Sequence, residues 1–171
     1  MKLELKNIKY AAFASQETSC YEATIYKDGK AWASVQNDGW GGPDNVSPIG
    51  RPYNDPDFAA ELKAVEDALP LTHEGVLYSN KYSSDTYTAT FSLEAWCASR
   101  LDDHLMQKDF KRIIAKKALF VDGTSLYTSG YKGGKKPDAA LFADIMRKHP
   151  NARILNTMNA EDAFATYQRY A

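Results

Sequence analysis

Two extended segments, residues 20–27 and 30–36, flank the dipeptide Asp28-Gly29. Asp-Gly supplies the positive φ angles that a two-residue hairpin turn needs. Polar and apolar side chains alternate through both segments, as they do in a strand with one buried face. The sequence therefore predicts a tight antiparallel hairpin, which fixes the pairing of these two segments.

Residues 2–13 show a broken alternation of apolar side chains and predict a strand before that hairpin. Within the return strand, Trp32 alternates with Ala33 and Val35, so a regular strand would place Trp32 on the opposite face from these two residues. The three strands together predict an N-terminal antiparallel meander. Residues 37–56, which contain four prolines, are expected to be irregular.

Apolar residues at helical spacing predict about four helices in the remainder of the chain. Asp55, Ser92 and Asn159 are N-cap residues for three of them, and residues 138–149 form another amphipathic segment. In the helix after Ser92 the apolar stripe shifts at Phe110, which predicts a kink or the start of a second helix.

Further strands are expected between these helices. Residues 75–91 are rich in Tyr and Thr and favour an extended conformation. Asp122-Gly123 predicts a second tight hairpin, and residues 153–155 read as a short strand. This order predicts an α+β fold, a mainly antiparallel sheet with about four packed helices. We expect a single domain over residues 1–171, with substructure at residues 1–50 and 51–171.

The chain carries a formal net charge of −1 that is unevenly distributed. Residues 1–85 hold 8 Lys/Arg and 13 Asp/Glu, a net charge of −5, whereas residues 86–171 hold 13 and 9, a net charge of +4. The sequence shows no apolar leader or membrane-spanning run, so we expect a cytoplasmic protein without a membrane partner whose cysteines, Cys20 and Cys97, are reduced.

The loop over residues 37–45 is the first candidate site, because three glycines bring its backbone within reach of a partner. Two interpretations are open: a structural turn in which Asn and Asp cap their own backbone, or a binding loop with Trp40 as an exposed anchor. Its acids do not follow the spacing of a calcium loop, so no metal is expected. The candidate binding residues are Asn37, Asp38, Trp40, Asp44 and Asn45.

The second candidate site is the basic stretch over residues 108–136, which holds 8 Lys/Arg against Asp109 and Asp122. Lysines and glycines ahead of a helix suit an anion, but the pattern of a Walker loop is missing. Nucleic acid, a nucleotide or an acidic protein surface could bind here, or the stretch could be a solvated face. The candidate residues are Lys111, Arg112, Lys116, Lys117, Lys132, Lys135 and Lys136.

No motif pairs a nucleophile with any of the three histidines, and Cys20 and Cys97 are too far apart in sequence for a metal motif. No catalytic residue and no cofactor are therefore assigned. A composite active site built from loops remains an alternative.

Several segments resemble small accessory proteins of phages and prophages, a group without assigned chemistry. The similar segments are residues 6–18 (KNIKYAAFASQET), 20–21 (CY), 26–30 (YKDGK), 37–42 (NDGWGG) and 149–156 (HPNARILN). The resemblance transfers no catalytic residue. It implies a phage or mobile-element origin and action in the cytoplasm of a bacterial host.

Such an origin makes a host protein complex the expected partner, because small phage proteins often act on host assemblies, including defence systems such as CRISPR. The leading hypothesis is a non-enzymatic protein that binds a host macromolecular complex and inhibits host defence. The alternative is an accessory protein that binds nucleic acid or a nucleotide through the basic stretch. The sequence leaves the oligomeric state open.

Overall fold

A computed structural model describes residues 1–69, 78–79, 86–87 and 92–171. The chain divides into two compact units, unit 1 over Met1–Leu101 and unit 2 over Asp102–Ala171. The described residues form four α-helices and two larger antiparallel sheets, one in each unit. The predicted α+β fold with about four helices is therefore confirmed. The single-domain organisation and the subdivision at residue 50 stay predictions.

Unit 1 begins with a four-stranded antiparallel meander in the order β1-β2-β3-β4. Its strands are β1 Leu3–Tyr10, β2 Tyr21–Lys27, β3 Lys30–Asn37 and β4 Asn45–Pro48. Asp28 and Gly29 connect β2 and β3 with φ angles of 49° and 82°, which are the two positive values of a type I′ turn. The first predicted hairpin is thus confirmed.

The sheet also differs from the prediction. β1 ends at Tyr10 and a short 3₁₀ turn follows over Ala12–Ala14, instead of a strand continuing to residue 13. Residues 45–48 form β4 against β3, where an irregular loop was expected. Pro48 is tolerated because β4 lies at the edge of the sheet, where one side of the strand needs no ladder hydrogen bonds.

The predicted alternation around Trp32 is wrong. The register between β2 and β3 shifts between Ile25 and Tyr26, so that Ile25 pairs with Ala33 while Tyr26 pairs with Ala31. The extra residue is Trp32, and both Trp32 and Ala33 are buried. A bulge of this kind breaks the two-residue period and lets adjacent side chains reach the core.

Unit 1 continues with helix α1, Pro56–Ala68, and the N-terminal part of α2, Leu93–Ile114. The Asp55 side chain caps α1 by accepting from the Asp57 backbone N–H. Leu69 is extended after the helix, as expected for a residue that precedes proline. Of residues 75–91, the described ones form two short strands, β5 Tyr78–Ser79 and β6 Thr86–Tyr87; the rest of that prediction lies outside the described residues.

Helix α2 is continuous over 22 residues, so the predicted second helix near Phe110 is wrong, whereas the alternative of a kink stays a prediction. The shift of the apolar stripe has another cause. Leu93, Cys97 and Leu101 are buried in the part of the helix that belongs to unit 1, whereas Phe110 belongs to a core cluster of unit 2. The apolar stripe of α2 therefore shifts where the helix passes from residues of unit 1 to residues of unit 2.

Unit 2 contains a three-stranded antiparallel sheet in the order β8-β7-β9. Its strands are β7 Ala118–Asp122, β8 Ser125–Ser129 and β9 Arg153–Ile154. The second predicted hairpin is confirmed, although its two loop residues are Gly123 and Thr124, because Asp122 still pairs with Ser125. Gly123 has φ 60°, in keeping with the first central position of a type II′ turn.

The central strand β7 is buried on both faces. Leu119 and Val121 lie in one cluster with Phe110 and residues of helix α4, Ala160–Tyr170. Ala118 and Phe120 lie in a second cluster with residues of helix α3, Ala139–Lys148. Asn159 caps α4, as predicted, and α3 begins at Ala139 with Asp138 as its N-cap, where residue 138 was expected to start the helical segment.

No helix in the described part of the chain is both long and apolar enough to span a lipid bilayer.

Candidate functional site

The loop over residues 37–45 is held closed by the side chain of Asn37, the last residue of β3, which is only 8% exposed. Its Oδ1 accepts from Thr18 Oγ1 at 2.7 Å and from the Gly39 N–H at 2.9 Å. Its Nδ2 donates to the Gly42 carbonyl and to Asp44 Oδ1, both at 3.0 Å. The buried Asn37 amide therefore makes hydrogen bonds to both halves of the loop and keeps them close together.

The same loop is tied to residues 11–20 through Gly39. The Gly39 carbonyl accepts from three consecutive backbone N–H groups, those of residues 16–18, at 3.1, 3.0 and 3.3 Å. A Cβ at Gly39 would lie 2.2 Å from the Ala14 carbonyl oxygen, and its φ of 88° also disfavours other residues. We call residues 11–20 and 37–45 the paired loops, because these contacts make them one structural element.

Asp44 points into unit 1. The buried Tyr21 hydroxyl donates a short hydrogen bond to Asp44 Oδ2. Burial, followed by this bond to a carboxylate, raises the pKa of the Tyr21 hydroxyl far above its ordinary value. Burial and then the charge of Asp44 raise the pKa of the fully buried Cys97 thiol to about 12. A thiol that stays protonated is a poor nucleophile, which leaves Cys97 a packing role.

The two most exposed large apolar side chains of the paired loops are Phe13, 93% exposed, and Trp40, 66% exposed. The backbone of Trp40 is fixed by a hydrogen bond from its N–H to Asp38 Oδ1 at 3.0 Å. Phe13 belongs to the 3₁₀ turn at Ala12–Ala14, directly before the amides that bind Gly39. Both rings therefore project from backbone that is fixed by hydrogen bonds.

Two open clefts adjoin the loop. The first has a volume of about 680 Å³, and Tyr10, Glu22, Asp38 and Pro43 are among the residues that line it. The second, of about 520 Å³, shares Pro43 and Asn45 with the first. Its other lining residues include Asp44, Tyr53, Glu66 and Glu94.

The structure thus assigns different positions to the five candidate residues of this loop. Asn37 and Asp44 face inward and stabilise the loop, in line with the structural-turn interpretation. Asp38 caps the Trp40 backbone, and Trp40 is exposed as a binding anchor would be. Asn45 begins β4, lines both clefts and accepts from Ser47 Oγ at 3.4 Å.

All seven candidate residues of the basic stretch are exposed. Lys111 and Arg112 lie in the last turn of α2, and Arg112 forms an ion pair with Asp109 at 3.0 Å. Lys116 and Lys117 follow the helix, and Lys132, Lys135 and Lys136 lie between β8 and α3. Within the described ranges, no ion pair involves Lys111, Lys116, Lys117, Lys132 or Lys136.

The predicted anion position at the start of α3 already holds a carboxylate of the chain. Asp138 accepts from the Leu141 N–H at 3.1 Å, from the Tyr131 hydroxyl at 2.5 Å and from Lys135 Nζ at 2.6 Å. Lys135, followed by Tyr131, holds the pKa of Asp138 far below its usual range. An external phosphate would have to displace this internal anion, which weakens the case for a nucleotide site at this helix.

Several features of these surfaces were not predicted from the sequence. Phe13 was assigned to the end of the first strand, whereas it lies in a 3₁₀ turn and is exposed. Glu66 and Glu94 come from different helices, so no sequence spacing relates them. Asp122 and His149 were treated separately, yet His149 Nδ1 lies 2.7 Å from Asp122 Oδ2.

The described residues contain no group of three or more His, Cys, Asp or Glu side chains that could hold a metal ion. No known family model, curated protein or solved structure matches the chain.

Proposed function

We propose that the protein acts by binding another protein, and that the paired loops with Phe13 and Trp40 form its binding surface. The observation that carries this proposal is the exposure of two large aromatic side chains on backbone fixed by Asn37 and Gly39. Aromatic residues are favoured anchors of protein interfaces because they bury a large area with few rotatable bonds.

The rigidity of the paired loops adds to this argument. The free-energy cost of ordering flexible side chains and loops normally lowers binding affinity. Here the buried Asn37 amide and the three amides on the Gly39 carbonyl order both loops before any partner arrives. A preordered surface with two exposed aromatic side chains suits recognition, whereas Tyr21 and Cys97 are buried and their raised pKa values keep both groups protonated.

The resemblance to phage and prophage proteins supports a specific class of partner. We propose that the protein acts without catalysis in the cytoplasm of a bacterial host and binds a host protein complex. Defence complexes such as CRISPR effectors are the first class to test, which would make the protein an inhibitor of host defence.

The basic stretch supports a second candidate function, binding of nucleic acid. Six of its lysines, Lys108 among them, are exposed and take part in no ion pair within the described residues, as phosphate-binding lysines would be. We favour the protein partner, because Asp138 neutralises Lys135 and occupies the helix start that would otherwise bind phosphate.

Capture from bacterial lysate, with and without nuclease, separates the two functions. The tagged parent chain should retain the same protein bands after nuclease treatment, and the Trp40→Ala variant should lose them. Loss of every band from the parent after nuclease would support nucleic acid as the partner and contradict the proposed function.

A further inference from the structure

The charged residues of the proposed binding surface are acidic. Residues 10–26 and 31–50, which include both paired loops and most of β2, β3 and β4, contain four acidic residues and no lysine or arginine. Two of the four, Glu17 and Asp38, lie beside Trp40: Asp38 accepts from its backbone, and Glu17 Oε2 lies 2.3 Å from the position of a Cβ on Gly41. The backbone at Trp40 and Gly41, which carries the exposed indole, therefore lies beside two carboxylates.

The second cleft extends this negative character. Asp44, Glu66 and Glu94 line it, and Glu94 Oε1 accepts from the Asp44 backbone N–H at 3.3 Å. Tyr53, 73% exposed, adds an aromatic ring to its wall. None of the described residues that line this cleft is a lysine or an arginine.

Nearby basic side chains do not neutralise the clefts, because they already have acidic partners. Lys9, which lines the first cleft, pairs with Glu22 at 3.2 Å. Arg51 forms two hydrogen bonds with Glu61, each at 3.0 Å, and Lys63 pairs with Asp67 at 3.0 Å. The carboxylates of Asp38, Glu66 and Glu94 therefore have no cationic partner within the described part of unit 1.

We propose that the partner surface which docks on the paired loops is rich in arginine, and that arginine side chains enter the two clefts on either side of Pro43. This inference rests on the proposed protein-binding function and specifies the chemistry of its partner. A guanidinium pairs with carboxylates through two parallel hydrogen bonds and stacks on aromatic rings, so it matches clefts that combine Asp38 with Tyr10 and Glu66 with Tyr53.

Binding of a labelled oligoarginine peptide, followed by fluorescence anisotropy, tests this proposal. The test variant combines Asp38→Asn, Glu66→Gln and Glu94→Gln, which remove three charges but keep the oxygens that accept from Trp40 and Asp44. The control variant combines Asp102→Asn, Glu161→Gln and Asp162→Asn, which remove the same charge from exposed positions in unit 2.

The parent and the control variant should bind the peptide equally. The test variant should bind about tenfold more weakly, because each exposed ion pair contributes a few-fold and three are lost. An oligolysine peptide of equal length should bind the parent more weakly than oligoarginine does, since lysine cannot make the two-pronged contact.

Equal weakening by both triple variants would mean unspecific attraction to net charge and would overturn the proposal, as would absence of oligoarginine binding by the parent. Failure of this proposal can be distinguished from failure of the proposed function, which lysate capture tests. If lysate capture depends on Trp40 but the peptide does not bind, the protein-binding function stands and the arginine-rich partner is wrong.

Discussion

Asn37 Nδ2 donates to Asp44 Oδ1 across 3.0 Å, and this bond joins the last residue of β3 to the residue before β4. Through Asp44, the same bond is connected to the buried Tyr21 hydroxyl. The closed loop is therefore part of the folded core of unit 1, while Trp40 at its tip remains exposed. This separation allows the stability of the loop and its binding capacity to be changed independently.

Replacement of Asn37 by Ala should lower the free energy of unfolding by about 1–3 kcal/mol, because the buried Asn37 amide makes four hydrogen bonds that alanine cannot replace. Urea unfolding followed by circular dichroism measures this loss. Asn45→Ala is the control, since its longer bond to Ser47 Oγ is exposed. Equal stability of the two variants would show that the Asn37 network does not stabilise the loop.

Alanine substitutions at Gly29 and Gly39 distinguish the cost of backbone strain from the cost of a steric clash. Both have φ above 80°, but a Cβ at Gly29 meets nothing within 4 Å, whereas one at Gly39 overlaps the Ala14 carbonyl. Gly29→Ala should destabilise the protein by about 1 kcal/mol through strain alone. Gly39→Ala should have a clearly larger effect in the same thermal unfolding series. A smaller effect at Gly39 than at Gly29 would argue against the close contact between the paired loops.

Glu61 should give unit 1 a pH-dependent stability. Arg51, followed by the Trp32 indole N–H, lowers the pKa of Glu61 from 4.5 to about 2. A lowered carboxyl pKa stabilises the folded state fully above 4.5, and this stabilisation is lost as the pH falls toward 2. Glu61→Gln should therefore lower the melting temperature at neutral pH, with a difference from the parent that shrinks over this range.

Glu161→Gln serves as the control for this series, since Glu161 is exposed and forms no ion pair within the described residues. Its difference from the parent should not change with acidification in the same way. A Glu61→Gln difference that stays constant from neutral to acidic pH would contradict the proposed Arg51–Glu61 coupling.

The elements that are determined by residues close together in sequence could be predicted. Asp28-Gly29 encodes a turn within four residues, and Asp55 and Asn159 cap helices whose apolar stripes begin directly after them. The bulge at Trp32 could not be predicted, because it depends on how β2 and β3 align. The edge strand β4 was not predicted, because Pro43 precedes it and Pro48 ends it, and prolines are untypical of strands.

The candidate site was predicted only in part for the same reason. The exposure of Trp40 follows from its place among glycines, but the inward direction of Asn37 and Asp44 depends on Thr18 and Tyr21, which are distant in sequence. The clefts depend on side chains from α1, α2 and the sheet, so tertiary structure alone brings them together.

The basic stretch should not govern partner binding. The variant Lys116→Gln/Lys117→Gln/Lys132→Gln/Lys136→Gln removes four exposed charges that make no ion pair in the described residues. It should retain lysate capture, and neither the parent nor the variant should shift generic DNA or RNA in a gel at about 0.15 M salt. Salt-sensitive binding of the parent to nucleic acid, lost in this variant, would favour the alternative function.

Nuclease-treated lysate capture by the Phe13→Ala/Trp40→Ala variant tests most directly whether the paired loops bind a protein partner. Met146→Ala is the matched control, because Met146 is also exposed but lies on α3 in unit 2. We expect the double variant to melt within a few degrees of the parent and to lose the captured protein, whereas Met146→Ala should retain it. Undiminished capture by a folded Phe13→Ala/Trp40→Ala variant would show that the paired loops are not the binding surface.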